Sequence, residues 1–390
     1  MTGSNPKSGR PRYIMIGGFL GAGKTTSVAR LAERLSAGGQ RVGLITNDQG
    51  SELVDTAMLR SRGFATEEIP GGCFCCRFNS LVDAAKKLTA ATRPDVFIAE
   101  PVGSCTDLVA TVTYPLRRIY GDNLAIAPLS VLVDPVRARR MFGLEPGGKF
   151  SDKVLYVYRK QLEEADLIVI NKRDLLDPAR LRELRANMAS EFPQAEILES
   201  SARHGEGLDA WFSRITSSEQ AARSVMVVDY ELYAEGEARL GWLNCTIQLA
   251  ARDGFDADTV LKELASDIQK ELRELDAEIA HLKMTLSPEG GLGDIAVINL
   301  VRNDFVPELS QSLEEPVESA QLVLNLRAEA DPAMLRDTVE RNLGRLTTKV
   351  AGLNASLEHL EHFRPGKPQP TYRMPALQPD ETMLDSAHST

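Results

Sequence analysis

The chain has 390 residues, 43% hydrophobic and 26% charged, with a formal net charge of −10. That size suits two or three domains of ordinary globular composition. The acidic balance lacks the basic footprint that a nucleic-acid partner requires, and no apolar run of roughly 18 residues offers a membrane span.

Residues 1–12 are polar with no apolar core, which argues against a secretory signal and predicts a disordered N-terminus. From 13 to 215, short apolar runs alternate with helical patterns. The runs are Tyr13–Ile16, Val42–Ile45, Val96–Ala99, Ser130–Val133, Leu167–Ile170 and Glu196–Leu198, and the predicted helices span 24–37, 80–92, 153–165 and 178–190. Nearly continuous apolar runs suit a parallel sheet covered on both faces. The expected unit is a doubly wound, mostly parallel α/β domain with its site at the carboxyl ends of the strands. Residues 216–224 read as a linker. Beyond them come predicted strands at Trp242–Ala250, Glu278–Leu286, Asp294–Val301 and Ser319–Leu326, and helices at Asp256–Leu275 and Asp331–Leu346. These predict a smaller α+β domain over 225–363 with an antiparallel, ferredoxin-like sheet. The Pro-rich tail, 364–390, reads as disordered.

Three motifs carry chemistry. Gly18-Phe19-Leu20-Gly21-Ala22-Gly23-Lys24-Thr25 fits the phosphate-binding loop between a strand and a helix. Backbone N–H groups at Gly21, Ala22, Gly23 and Thr26 are expected around the phosphates. Lys24 is expected on the β- and γ-phosphates, and Thr25 on Mg²⁺. Asn171-Lys172-Arg173-Asp174 follows a predicted strand. The Asp174 carboxylate can accept from both guanine donors, which points to GTP over ATP. Asn171 would tie loops together, Lys172 would cover the base, and Ser201 and Ala202 would meet the guanine oxygen. Glu100 and Asp48 end strands on the same rim, so Glu100 is a candidate catalytic group beside Lys24, Asp48 a candidate Mg²⁺ ligand, and Gly103 a γ-phosphate sensor. A helix-capping role is the bland alternative for both carboxylates.

Gly71-Gly72-Cys73-Phe74-Cys75-Cys76 places three thiols on one tight loop. Thiolates are soft ligands, and three leave one tetrahedral position open, as in a site that accepts and releases metal. The clustering and odd total of five cysteines argue against a disulfide framework and for a reducing, cytoplasmic setting. Cys105 reads as a small core residue rather than a fourth thiolate, and Cys245 as core. His359 and His362 read as a solvated helix face.

Together these residues resemble the CobW/HypB/UreG family of metallochaperone P-loop GTPases, most nearly its CobW-like branch. The resemblance rests on 17–26, on the Cys-x-Cys-Cys loop at 73–76, on Glu100 to Gly103 in place of Asp-x-x-Gly, and on Asn171 to Asp174. It covers 13–215. The segment Asn47-Asp48-Gln49-Gly50 departs from the family's usual Asn-Glu-Phe-Gly. The resemblance implies slow GTP hydrolysis coupled to loading or release of a metal, with Cys73, Cys75 and Cys76 as ligands of Zn²⁺ or another soft divalent ion. It implies delivery to a client apo-metalloprotein, and a homodimer is a candidate assembly. An alternative is a GTPase chaperone for a cofactor-dependent enzyme such as a corrinoid system.

Overall fold

The first sheet grows outward from β1 (Arg12–Gly18), all of whose neighbours run parallel to it. Its other strands are β2 (Val42–Asn47), β3 (Ala65–Ile69), β4 (Val96–Glu100), β5 (Ala125–Ile126), β6 (Ser130–Val133), β7 (Leu167–Ile170) and β8 (Glu196–Glu199). The order is β3-β2-β4-β1-β6-β7-β8, with β5 paired to β1. The structure, a computed structural model, describes residues 9–50, 54–148, 150–290 and 294–374. Every residue of β2, β4, β6 and β7 is buried, as expected of parallel strands covered on both faces. The edge strand β3, Ala-Thr-Glu-Glu-Ile, buries only two of its five residues, which explains why no apolar run announces it.

Several helices start on an aspartate whose side chain accepts the first N–H groups: Asp134, Asp177, Asp256 and Asp331. The helix Lys24–Ala37 differs. Its N-cap is Gly23, no side chain caps it, and its first turn holds no acid. That leaves a positive helix end for an anion.

The second sheet is antiparallel: β9 (Gly241–Phe255), β10 (Glu278–Pro288), β11 (Ala296–Leu300), β12 (Glu308–Gln311), β13 (Val317–Glu329) and β14 (Asn354–Phe363), in the order β12-β11-β10-β13-β9-β14. Without β11 and β12 this is the ferredoxin-like βαββαβ order, with those two strands added at one edge. Alternation splits each strand between two faces. Leu282, Met284 and Leu286, with Leu322, Leu324 and Leu326, join the helices Ala257–Glu274 and Pro332–Lys349 in one core. The opposite, polar face carries His281, Lys283, Asn325 and Arg327, and it meets the first domain.

Three boundaries differ from the sequence reading: Arg12, expected in a disordered N-terminus, opens β1 and pairs with Val96, and two lie further on. Residues beyond the linker form a helix, Tyr230–Arg239, that packs on Asp152–Glu163 of the first domain. Gly236 permits the approach, since a Cβ there would lie 2.5 Å from the Lys153 carbonyl oxygen. The second sheet therefore starts only at Gly241. The expected disorder of the tail is corrected for residues 364–374, which the contacts described below hold as a strap; 375–390, like 1–8, lie outside the described residues. His359 and His362 sit on β14, opposite Thr246 and Leu243. Three residues apart on a strand, they face opposite sides and share no helix face. No helix among the described residues is long and apolar enough to cross a membrane.

Candidate nucleotide and metal site

The phosphate loop is shaped by glycines at positive φ. At Gly18, φ 128°, a Cβ would lie 2.3 Å from the Leu132 carbonyl oxygen of β6. At Gly23, φ 92°, it would lie 2.4 Å from Asn171 Nδ2. Only glycine satisfies both the dihedral and the space. The buried Lys24 ammonium donates to the Gly18 carbonyl at 2.9 Å. Ala22, within the loop, is buried, and Thr26 follows on the first helical turn.

Asn171 is the knot between three loops. Its Nδ2 donates to the Ala22 carbonyl at 2.9 Å, and its Oδ1 accepts from Ala202 N–H at 3.0 Å and from the Ser200 hydroxyl at 3.3 Å. The Ser201 N–H is also engaged, on the Glu206 carbonyl. Lys172 donates to the Gly21 carbonyl at 2.8 Å and to Asp134 at 3.1 Å. Asp174 is exposed at the surface, with its side chain 3.8 Å from His204 Nε2.

At the base of the loop, the Thr25 hydroxyl lies 2.7 Å from Asp55 Oδ1 and 2.9 Å from Glu100 Oε1. Burial, then the neighbouring Asp55, pushes the Glu100 carboxyl up to about 7, against the pull of Lys24 and Lys283. Glu100 Oε2 is buried without a hydrogen-bond partner among the described residues. One hydroxyl and two carboxylates, one of them with an orphaned oxygen, form a hard donor set, which fits Mg²⁺. Gly103 packs on the loop from above; a Cβ there would stand 2.6 Å from Leu20 Cδ2.

Asp48, expected beside Thr25, turns elsewhere. Its Oδ1 accepts from the N–H groups of Gln49 and Gly50, and both its oxygens face Arg327 Nη2 at 3.2 and 3.3 Å. Arg327 is wholly buried, with its guanidinium 4.1 Å from the Trp242 ring centroid, so it requires a counter-charge. Asp55 takes the place beside Thr25. No motif marks it: it lies eight residues beyond the end of β2, on the helix Val54–Ser61.

The polar face of the second sheet closes over this region. Lys283 reaches both Asp55 oxygens, at 2.7 and 2.6 Å. Arg302 pairs with Asp134 at 2.9 Å, and Asn325 Oδ1 accepts from Val54 N–H at 3.1 Å. Arg137 donates to the Leu20 carbonyl at 2.8 Å and to the Ala280 carbonyl at 3.0 Å, joining the phosphate loop to β10.

The three thiols gather on a turn in which Cys76 and Arg77 N–H groups bond the Cys73 carbonyl, just before the helix Phe78–Thr92. Their Sγ atoms are 2.8, 3.3 and 3.7 Å apart, within reach of one ion. Cys73 and Cys75 are buried and Cys76 is half-buried. Hydrogen bonding from Cys105 first, then from Cys75 and Cys76, holds the Cys73 thiol well below its usual range. Burial and the Cys73 partner push Cys105 well up. Cys105 is buried in the first domain's core, as expected, and is also a neighbour of Cys73. The buried Glu237 carboxyl, which accepts from Ser104 at 2.6 Å, lies close enough to Cys73 that burial and this neighbour push it well up.

Two connections join the thiols to the rest. Asn47, at the end of β2, donates through Nδ2 to the Ile69 carbonyl at 2.8 Å and to the Gly72 carbonyl at 2.7 Å. The strap covers the loop: Gln369 N–H meets Cys76 Sγ at 3.2 Å, and Thr371 N–H bonds the Cys75 carbonyl at 2.8 Å. Tyr372 stands edge-on to Phe78, and Arg373 pairs with Asp107 at 2.7 Å.

Residues 12–199 match the family described as CobW/HypB/UreG, nucleotide-binding domain. A zinc chaperone CobW of a Sinorhizobium species is 30% identical over 225 residues, covering 53% of this chain and 63% of that protein. A zinc chaperone CobW of Pseudomonas aeruginosa is 28% identical, covering 48% and 56%. The chain thus spans less than two thirds of these relatives. Among solved structures, Zn(II)-bound YjiA GTPase from E. coli aligns with 87% of this chain and 99% of its own, at 13% identity and a TM-score of 0.36.

Proposed function

We propose, from the premise that residues 12–199 are a nucleotide-binding domain of the CobW/HypB/UreG family, that this chain is a GTP-hydrolysing metallochaperone. Its cargo is a soft divalent ion, taken as Zn²⁺, held by Cys73, Cys75 and Cys76 and passed to a client apo-metalloprotein in the cytoplasm. Lys24 neutralises the β- and γ-phosphates, and Asp174 selects guanine. Thr25, Asp55 and Glu100 would hold Mg²⁺, which when bound supplies charge to the phosphates. The buried Glu100 can also orient water at the same place.

The observation that carries this reading is Asn47. It joins the end of β2, just before the segment that leads to Asp55, to the carbonyl directly before Cys73. A movement on one side must be felt on the other. Such coupling is reciprocal and is typically worth about 1–3 kcal/mol. Zn²⁺ titrations with GDP and with a non-hydrolysable GTP analogue test it. One ion per chain is expected, with different affinities in the two states and a sharp loss in Cys75→Ser. Identical affinities would leave a GTPase with a metal site and no chaperone cycle. A protein that binds no metal would return the thiols to a structural role, as the cofactor-chaperone reading has it.

A further inference from the structure

The nucleotide site contains a cation that no phosphate-loop motif supplies. Lys283 comes from the middle of β10, more than 200 residues from the loop. Its neighbours Leu282 and Met284 point into the second domain's core, so alternation alone aims Lys283 at the first domain. Its side chain is 16% exposed. The Asp55 oxygen that accepts from the Thr25 hydroxyl at 2.7 Å also accepts from the Lys283 ammonium at 2.7 Å. Two residues along the same face, His281 is buried, and neither ring nitrogen has a partner among the described residues. This face therefore carries unspent polar groups toward the phosphate loop as well as a spent cation.

We propose that Lys283 is a tethered cation of the Mg²⁺ site, lent by the second domain, and that Mg²⁺ must displace it from Asp55. The proposal rests on the GTP reading above. Two cations drawn to one carboxylate oxygen repel each other, and the one that is covalently part of the second domain carries the consequence with it. When Mg²⁺ takes Asp55 and Thr25, the Lys283 ammonium loses its counter-charge, and one of the ion pairs joining the domains opens. Asp48–Arg327 and Asp134–Arg302 remain. The metal that accompanies the nucleotide thereby reports its presence directly to β10, without passing through the cysteine loop. By reciprocity, whatever pulls the second domain away improves Mg²⁺ binding.

The test is the Mg²⁺ concentration that half-saturates binding of a fluorescent GDP analogue, measured on the full chain. In Lys283→Met the midpoint should fall by about 5- to 150-fold, the usual span of a coupling between two bound species. Lys283→Arg, which keeps the charge, should stay near wild type. Lys283→Gln supplies the same comparison if the methionine variant folds poorly, and thermal melts check both. Hydrogen exchange over 281–285 should rise when Mg²⁺ is added to the GDP-bound wild type and should not respond in Lys283→Met. An unchanged or higher midpoint in Lys283→Met overturns the proposal. If turnover then falls instead, Lys283 acts on the phosphates. Wild-type protein that binds no guanine nucleotide at any Mg²⁺ concentration overturns the GTP reading itself, whereas GDP binding with an unchanged midpoint removes only Lys283.

Discussion

Replacing Asn47 with alanine should uncouple the thiols from the nucleotide. The side chain is 7% exposed and spends its amide on two carbonyls, Ile69 at 2.8 Å and Gly72 at 2.7 Å. Each such bond is worth a net of about 0.5–1.5 kcal/mol, so Asn47→Ala should cost about 1–3 kcal/mol. In a domain of this size each kcal/mol moves Tm by about 2–4 °C, which a melting curve resolves. The decisive measurement is the ratio of Zn²⁺ affinities with GDP and with a GTP analogue. If wild type shows a ratio of about 5 to 150, the variant should approach one. A Tm that falls while the ratio stays at its wild-type value would refute the reasoning. The coupling would then run through the stretch from Glu100 to Cys105, which also ends beside Cys73.

Asp174→Asn should weaken GTP by about 30- to 1,000-fold, because the guanine donors lose a charged acceptor; wild-type protein that binds ATP as tightly as GTP would refute the base assignment. Glu164 gives a pH prediction. Burial first, then Asp107, raises its carboxyl from 4.5 to about 8, while Thr106 and Val109 donate to it. Between those values the folded protein holds a proton that the unfolded chain releases, so this group's contribution to stability falls as pH rises from 4.5 to about 8. Glu164→Gln should flatten that part of the Tm profile, and an unaltered slope would assign it to other groups.

What the sequence disclosed depended on how local the physics is. The phosphate loop is legible because Gly18 and Gly23 are demanded by backbone geometry within a few residues of Lys24. The role of Asn171 as a tie between loops follows from its place at a strand end. Asp55 was not legible: its partners Thr25 and Lys283 lie far off in sequence, and no spacing rule links them. The same holds for Cys105, whose nearness to Cys73 depends on how the loop after β4 folds back. β14 was missed for a different reason. Leu357, Leu360 and Phe363 recur every three residues, a helical spacing, and the strand absorbs it with a register shift between Leu357 and His359. The strap was hidden by composition, since its order comes from Thr371, Tyr372 and Arg373 meeting partners elsewhere in the chain rather than from its own sequence.

Three of the ion pairs across the domain boundary bear on how such a protein can be taken apart. Asp48, Asp55 and Asp134 belong to the first domain, and Arg327, Lys283 and Arg302 to the second. Excised at Gly241, the first domain would lose the second-domain cation from each of three carboxylates; Asp134 would keep Lys172, while Asp48 and Asp55 would add negative charge near the phosphate loop. The excised unit would be handicapped electrostatically even with every motif residue intact. Grafting a different second domain onto this one therefore requires matching those three positions as well as the fold. The boundary is a place where sequence can be cut but function cannot be divided without replacing the charges.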